Sequence, residues 1–185
     1  MRKIIMVMAA LLVASAANAV EVAGVKIDDK ASVGGQELVL NGAGLRTKVF
    51  FKVYVAGLYV PAKSGSVAAV LENGPRRIQI NLMRDVSADE FVGALVDGMK
   101  ANNSEVELAA VKAATDQFVA IMKGAGAVKE KDVVTLDFID GTTKVGLNGV
   151  AKGTVPGVAF NRALTNIWLG EHPVQADLKK AMLGG

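Results

Sequence analysis

The chain has 185 residues, 51% of them hydrophobic, with one histidine and no cysteine. Without a thiol there is no disulfide framework, no thiol catalysis and no thiolate metal site, and a single histidine makes a zinc centre improbable. The formal charge of +3 falls to about +1 once the basic first residues are set aside, and no basic run suits a phosphate backbone, which argues against nucleic acid as a partner.

The first element is a leader. Met1-Arg2-Lys3 is followed by the apolar run Ile4 to Val13 and by a small-residue segment ending Ala17-Asn18-Ala19. A basic start, a short apolar stretch and an A-x-A site predict a secretory signal peptide, residues 1–19, cut after Ala19. The apolar run is too short to span a bilayer comfortably, and no second stretch of spanning length follows. The expected location is the periplasm, for a protein that does not span the membrane. Residues 20–185 have the length of one ordinary domain, with no linker, low-complexity tract or internal repeat.

Val20 to Ile27 and Glu37 to Leu40 read as short strands, separated by turn residues at Asp28-Asp29-Lys30 and Gly34-Gly35. From Leu45 the odd positions are mostly apolar and the even ones begin Arg46, Lys48, Lys52; after Tyr54 both parities turn apolar. This predicts one long strand running from a wet edge into the core and ending at Pro61. Val67 to Leu71 suggests a short helical turn, and Arg77 to Met83 alternates as a further half-buried strand. Ser87 and Glu90, then Ser104 and Glu107, form two Ser-x-x-Glu capping boxes, each followed by an apolar stripe: Phe91, Val92, Leu95, Val96 and Met99, then Leu108, Val111, Phe118 and Met122. Two amphipathic helices are expected, laid against the sheet. Asp140-Gly141 and Asn148-Gly149 join Val133–Ile139, Thr142–Leu147 and Val150–Val155 into a meander. A helix over Ala159–Leu169, stopped by Gly170, and a final turn or two over Gln175–Leu183 close the chain.

Few residues suggest chemistry. His172 follows a helix end, where a cap or solvated group is the ordinary role. Gly42-Ala43-Gly44 lacks a third glycine and precedes a strand, so it is no dinucleotide fingerprint; a bulge or tight turn that re-aims Arg46 explains it better. Asp137 lies mid-strand and Asp140 in a turn, so they make no catalytic pair. Arg46 and Tyr54 share strand parity. Two readings stand for them: a guanidinium and a phenol that together grip a carboxylate or enolate oxygen, or a solvated edge strand, which spacing alone favours.

A resemblance bears on that choice. Asn41-Gly42-Ala43-Gly44-Leu45-Arg46, followed by Val55-Ala56-Gly57-Leu58-Tyr59-Val60, resembles the "GxGxR … GxYL" opening of chalcone-isomerase-fold proteins. Phe160 to Leu164, continued by Trp168-Leu169-Gly170-Glu171-His172-Pro173-Val174, looks like that family's closing helix and "LG" turn. The order of elements agrees from about Val22 to Leu183, and the exported bacterial branch is the nearest match in kind. The resemblance implies an α+β fold, an open-faced β-sandwich whose large antiparallel sheet carries helices layered against it, with an apolar cleft between. It implies that Arg46 lines this cleft: the plant enzymes' arginine holds a flavonoid oxygen, and that of the fatty-acid-binding branch pairs with a carboxylate. The enzymes' strand threonine falls at Tyr54, and their helical tyrosine and asparagine at about Phe91 and Gly98, so the set that orders water and substrate is missing.

The reading that results is a non-catalytic binding protein for a small apolar or amphipathic, fatty-acid-like ligand, without cofactor or metal. Arg46 is its anchor, Tyr54 a hydrogen-bond partner, and Phe91 and Trp168 its cleft wall, or ordinary core. An isomerase or lyase acting on an enolisable carbonyl and an envelope protein-interaction module are the alternatives; the sequence names no protein partner.

Overall fold

The structure, a computed structural model, describes residues 19–72 and 74–185. The predicted leader lies outside the described residues except for Ala19, which opens the first strand. Val20–Ile27, expected as one strand, is a hairpin of β1 (Ala19–Val22) and β2 (Val25–Asp28), because Ala23 and Gly24 take φ of 53° and 90° and turn the chain.

Seven strands then form one sheet in sequential antiparallel order: β3 (Lys30–Val33), β4 (Gln36–Lys48), β5 (Phe51–Val60), β6 (Arg76–Leu82), β7 (Val133–Ile139), β8 (Thr142–Leu147) and β9 (Val150–Pro156). The last three are the predicted meander, turned at Asp140-Gly141 and Asn148-Gly149, all four residues at positive φ. The short helix α1 (Val67–Glu72) links β5 to β6. Between β6 and β7 come α2 (Ala88–Asn102), α3 (Glu105–Ala110) and α4 (Lys112–Ala125), and the chain ends with α5 (Val158–Leu169) and α6 (Ala176–Met182). Both capping boxes form as read: Ser87 with Glu90 opens α2, and Ser104 with Glu107 opens α3. The second predicted helix is in fact two. Val111, at φ −102° and ψ 7°, leaves helical geometry and divides α3 from α4 while its side chain stays in the core.

The stretch from Leu45 to Val60 is a hairpin and not the single strand its alternation predicts. Val49 at φ 57° and Phe50 make the turn. Register explains the misreading: Leu45 faces Val55 and Arg46 faces Tyr54. Odd residues therefore pair with odd and even with even, and the two-residue alternation passes through the turn unchanged. A register shift between Arg46 and Thr47 then breaks it, so Thr47 opposes Lys52. At the tip Val49 and Phe50 are 79% and 94% exposed, which no strand parity foretells.

The two faces of β5 feed two cores. Ala56, Leu58 and Val60 join Ile78, Ile80, Leu136 and the inward faces of the helices. Val55 and Tyr59 join Ile27, Val33, Leu38 and Leu40 on the other face, under the β1–β2 hairpin. Arg46, paired with Tyr54, accordingly belongs to the helix-covered side.

Tyr59 is buried, and its hydroxyl donates to Asp28 O at 2.9 Å. Burial pushes its phenol up to about 12 from the ordinary 10. The folded state thus holds this proton more tightly than the unfolded chain does. Its contribution to stability is complete below pH 10 and is lost as pH rises from 10 through 12. Urea midpoints measured at intervals from pH 9 to 12 are expected to fall less steeply for Tyr59→Phe than for the natural chain; parallel curves would contradict this.

Candidate functional site

Between the sheet and the helices lies a cavity of about 330 Å³. β5 contributes Val53 and Tyr54, β6 contributes Ile80 and Leu82, α2 contributes Phe91, Ala94 and Leu95, and α5 contributes Ile167 and Trp168. The strand residues reach it because alternate positions of β6 share one face, and the helical ones because Phe91 and Leu95 are four apart on the buried stripe of α2. Lys48, Arg84, Glu90 and Asp97 add charged groups to the lining. Three of the four residues singled out in the sequence, Tyr54, Phe91 and Trp168, thus meet around one apolar space.

Tyr54 is its polar centre. Trp168 Nε1 donates to Tyr54 Oη at 3.1 Å. Among the described residues no group accepts the phenol's own hydrogen, which leaves it available to a guest. Burial raises the phenol above its ordinary pKa of 10; the Trp168 indole and the Arg46 guanidinium oppose this without cancelling it. The group is therefore a neutral donor at physiological pH.

Arg46 does not itself line the cavity. It stands directly across from Tyr54 in the β4–β5 register and acts on the phenol from there. Its Nη1 donates to Thr47 O and, at 3.2 Å, to Gln175 Oε1. Gln175, the residue that precedes α6, also accepts from the Thr47 amide at 3.0 Å and donates to Leu45 O at 3.1 Å. One glutamine side chain thereby satisfies the backbone at the register shift and holds the guanidinium. No spacing signal points to Gln175, which is 129 residues from Arg46.

Gly42 and Gly44, expected to form a bulge or turn that re-aims Arg46, lie inside β4, with a register shift between Leu40 and Gly42. Their second role is to let α6 lie against the strand. A Cβ on Gly44 would stand 2.8 Å from Ala181 Cβ and 3.0 Å from Leu178 Cδ1. Gly98 has a similar part, since a Cβ there would meet Ile167 Cγ2 at 2.8 Å where α2 crosses α5. His172 is exposed and offers its backbone to Asn102, accepting through its carbonyl at 2.7 Å and donating through its amide at 2.9 Å. Asp137 is held by Arg77 in a two-pronged ion pair at 2.5 and 2.7 Å. Among the described residues no three His, Cys, Asp or Glu side chains converge, and no helix is long and apolar enough to cross a membrane.

The sequential sheet, the helical cover and the cleft between them coincide with a known family. The profile of the chalcone isomerase-like family matches residues 19–184. The chain belongs to the chalcone isomerase-like family. Its fold is also that of a solved structure, a fatty-acid binding protein of Arabidopsis thaliana, with a TM-score of 0.69 at 16% identity over 90% of this chain and 96% of that one. Comparison with curated proteins gave no match. In this chalcone isomerase-like chain the helical positions that the resemblance assigns to the plant enzymes' tyrosine and asparagine carry no hydrogen-bonding group. Phe91 presents a phenyl ring to the cavity, and Gly98 is pressed against Ile167.

Proposed function

We propose that this protein is an exported, periplasmic, non-catalytic binding protein for a small apolar acid of the fatty-acid type. The observation that carries the reading is the phenol of Tyr54, set in an apolar cavity with its own hydrogen unspent and a guanidinium beside it. A carboxylate placed there accepts from the phenol, with Arg46 supplying the compensating charge. The chain of the ligand runs along Phe91, Leu95, Ile167 and Trp168. A volume of about 330 Å³ is near the lower end of small-molecule sites, roughly 300–1,000 Å³, which favours a short or medium chain. The fold it shares with the Arabidopsis fatty-acid binding protein supports the ligand class. Enolisation chemistry needs placed proton donors and acceptors around the developing oxyanion, and the two helical positions that carry the plant enzymes' tyrosine and asparagine are here Phe91 and Gly98, which supply none.

Native mass spectrometry and a fluorescence titration test the proposal together, because Trp168 is the single tryptophan and lies in the cavity wall. Exported protein is expected to have the mass of residues 20–185 and to carry or accept one equivalent of octanoate, with saturating change in Trp168 emission. Absence of any adduct together with a flat titration overturns the binding assignment.

A further inference from the structure

We infer that a second cavity, at the other end of α5, is a binding site for a small organic monocarboxylate with an apolar body, held by Arg76. This cavity is also about 330 Å³. Arg76 opens β6 whereas Ile80 and Leu82 near its end line the Tyr54 cavity, so the two sites lie at opposite ends of one strand. Nothing in the assignment of the Tyr54 cavity enters the argument.

Arg76 is only 6% exposed, yet nothing charged answers it. Its Nε and Nη2 donate to Thr165 Oγ1 at 3.2 and 2.8 Å, Nη2 also to Asn161 O at 3.3 Å, and Phe138 lies under the guanidinium with its ring centre 4.4 Å away. All of these partners are neutral. Among the described residues it makes no ion pair, whereas its neighbour Arg77 is fully paired with Asp137. Burial alone acts on its ionisation, lowering it from the ordinary guanidinium value to about 10. A buried cation without an anion is costly to keep, and proteins ordinarily pair it.

The geometry shows where an anion fits. Among the described residues Arg76 Nη1 donates to no group, and no fully buried side-chain polar atom lacks a partner. Nη1 is therefore not fully buried, and the cavity that Arg76 borders is lined by Leu71, Pro75, Phe138, Ile139 and Val158. The first turn of α5 adds its positive end, since Gly157 provides no side-chain cap, and Arg162 adds a second cation. Glu72 and Asp140 also border the space but are exposed, and neither acts on Arg76. Their negative charge opposes any anion in this space, a dianion such as phosphate more than a monoanion.

Nuclear magnetic resonance on the full domain tests this with hexanoate and benzoate as probes and hexanamide as the neutral control. Both acids are expected to move the Arg76 Nε–Hε and Gly141 amide signals to saturation, at least tenfold more weakly in Arg76→Leu, while hexanamide leaves them in place. Ala68→Trp, an exposed change at the cavity wall that keeps Arg76, is expected to block the same shifts and covers the case in which Arg76→Leu does not fold. The Trp168 indole signal reports the other cavity, so failure of either site is seen separately. No shift at Arg76 and Gly141 with the acids, an equal shift with hexanamide, or undiminished binding in Ala68→Trp overturns the inference.

Discussion

Gly42→Val is expected to destabilise the domain by about 3 kcal/mol or more, the upper part of the range for overpacking a close contact. A Cβ at this position would run into Ala181 O and stand 3.0 Å from Gly184 N. Both obstacles are backbone, and neither can rotate away. Helix α6 must lift from β4, which uncovers Leu178 and Met182, now 1% and 0% exposed, and pulls Met182 O from Asn41 Nδ2, its donor at 2.8 Å. The loss travels to the site, because α6 follows directly on Gln175, which holds Arg46. Urea unfolding measures the effect. Gly124→Ala is the control: nothing lies within 4 Å of a Cβ there, and Gly124 sits in the last turn of α4. That change is expected to be neutral or to stabilise by up to about 1 kcal/mol. A Gly42→Val midpoint equal to that of the natural chain would mean that α6 does not rest on β4 as described.

Tyr54→Phe is expected to weaken octanoate binding by roughly 10- to 100-fold, the equivalent of one hydrogen bond to a charged group, about 1.5–3 kcal/mol. The same change strands Trp168 Nε1, whose acceptor is Tyr54 Oη. A stability loss of about 1–3 kcal/mol accompanies it. Affinity is therefore read well below the melting transition, with the apo stability measured beside it. Arg46→Ala is expected to reduce affinity while leaving Trp168 bonded, which separates the charge from the hydroxyl. Because burial raises the Tyr54 phenol above 10, binding should hold from neutral pH up to pH 10 and fail only above it. Undiminished affinity in Tyr54→Phe would place the carboxylate elsewhere in the cavity and remove the central observation behind the proposed function.

The two variants probe features with different legibility. Alternation and turn chemistry identify β7, β8 and β9 with their turns, since each depends on residues a few positions apart. The capping boxes at Ser87 and Ser104 are equally local, and both form. Misreadings occur where a local rule has two solutions. The even-sum register of Arg46 with Tyr54 carries one alternation through a hairpin, so β4 and β5 look like a single strand. Val111 stays on the apolar stripe while its backbone leaves the helix, so α3 and α4 look like one.

The site divides in the same way. Tyr54 stands out in the sequence through its strand parity with Arg46, and Phe91 and Trp168 through family resemblance; the three meet around one cavity. That Arg46 would stand beside Tyr54 rather than in the cavity wall is decided by Gln175 and by a one-residue register shift, neither of which leaves a pattern in the chain. Arg76 is hidden for a like reason. Beside Arg77 at the head of a strand it looks like half of a solvated pair, and only the packing of α5 against β8 and β6 buries one guanidinium among neutral partners while its neighbour finds Asp137.

By itself the sequence determined the kind and order of most elements, and the family, because each is written in periodicity, turn chemistry or motif within short reach. Tertiary structure alone decided which glycines receive α6, which arginine keeps a counter-charge, and which hydroxyl hydrogen is left without an acceptor. Those outcomes depend on approaches of a few ångströms between residues up to 141 positions apart, and short-range sequence patterns do not encode such distances.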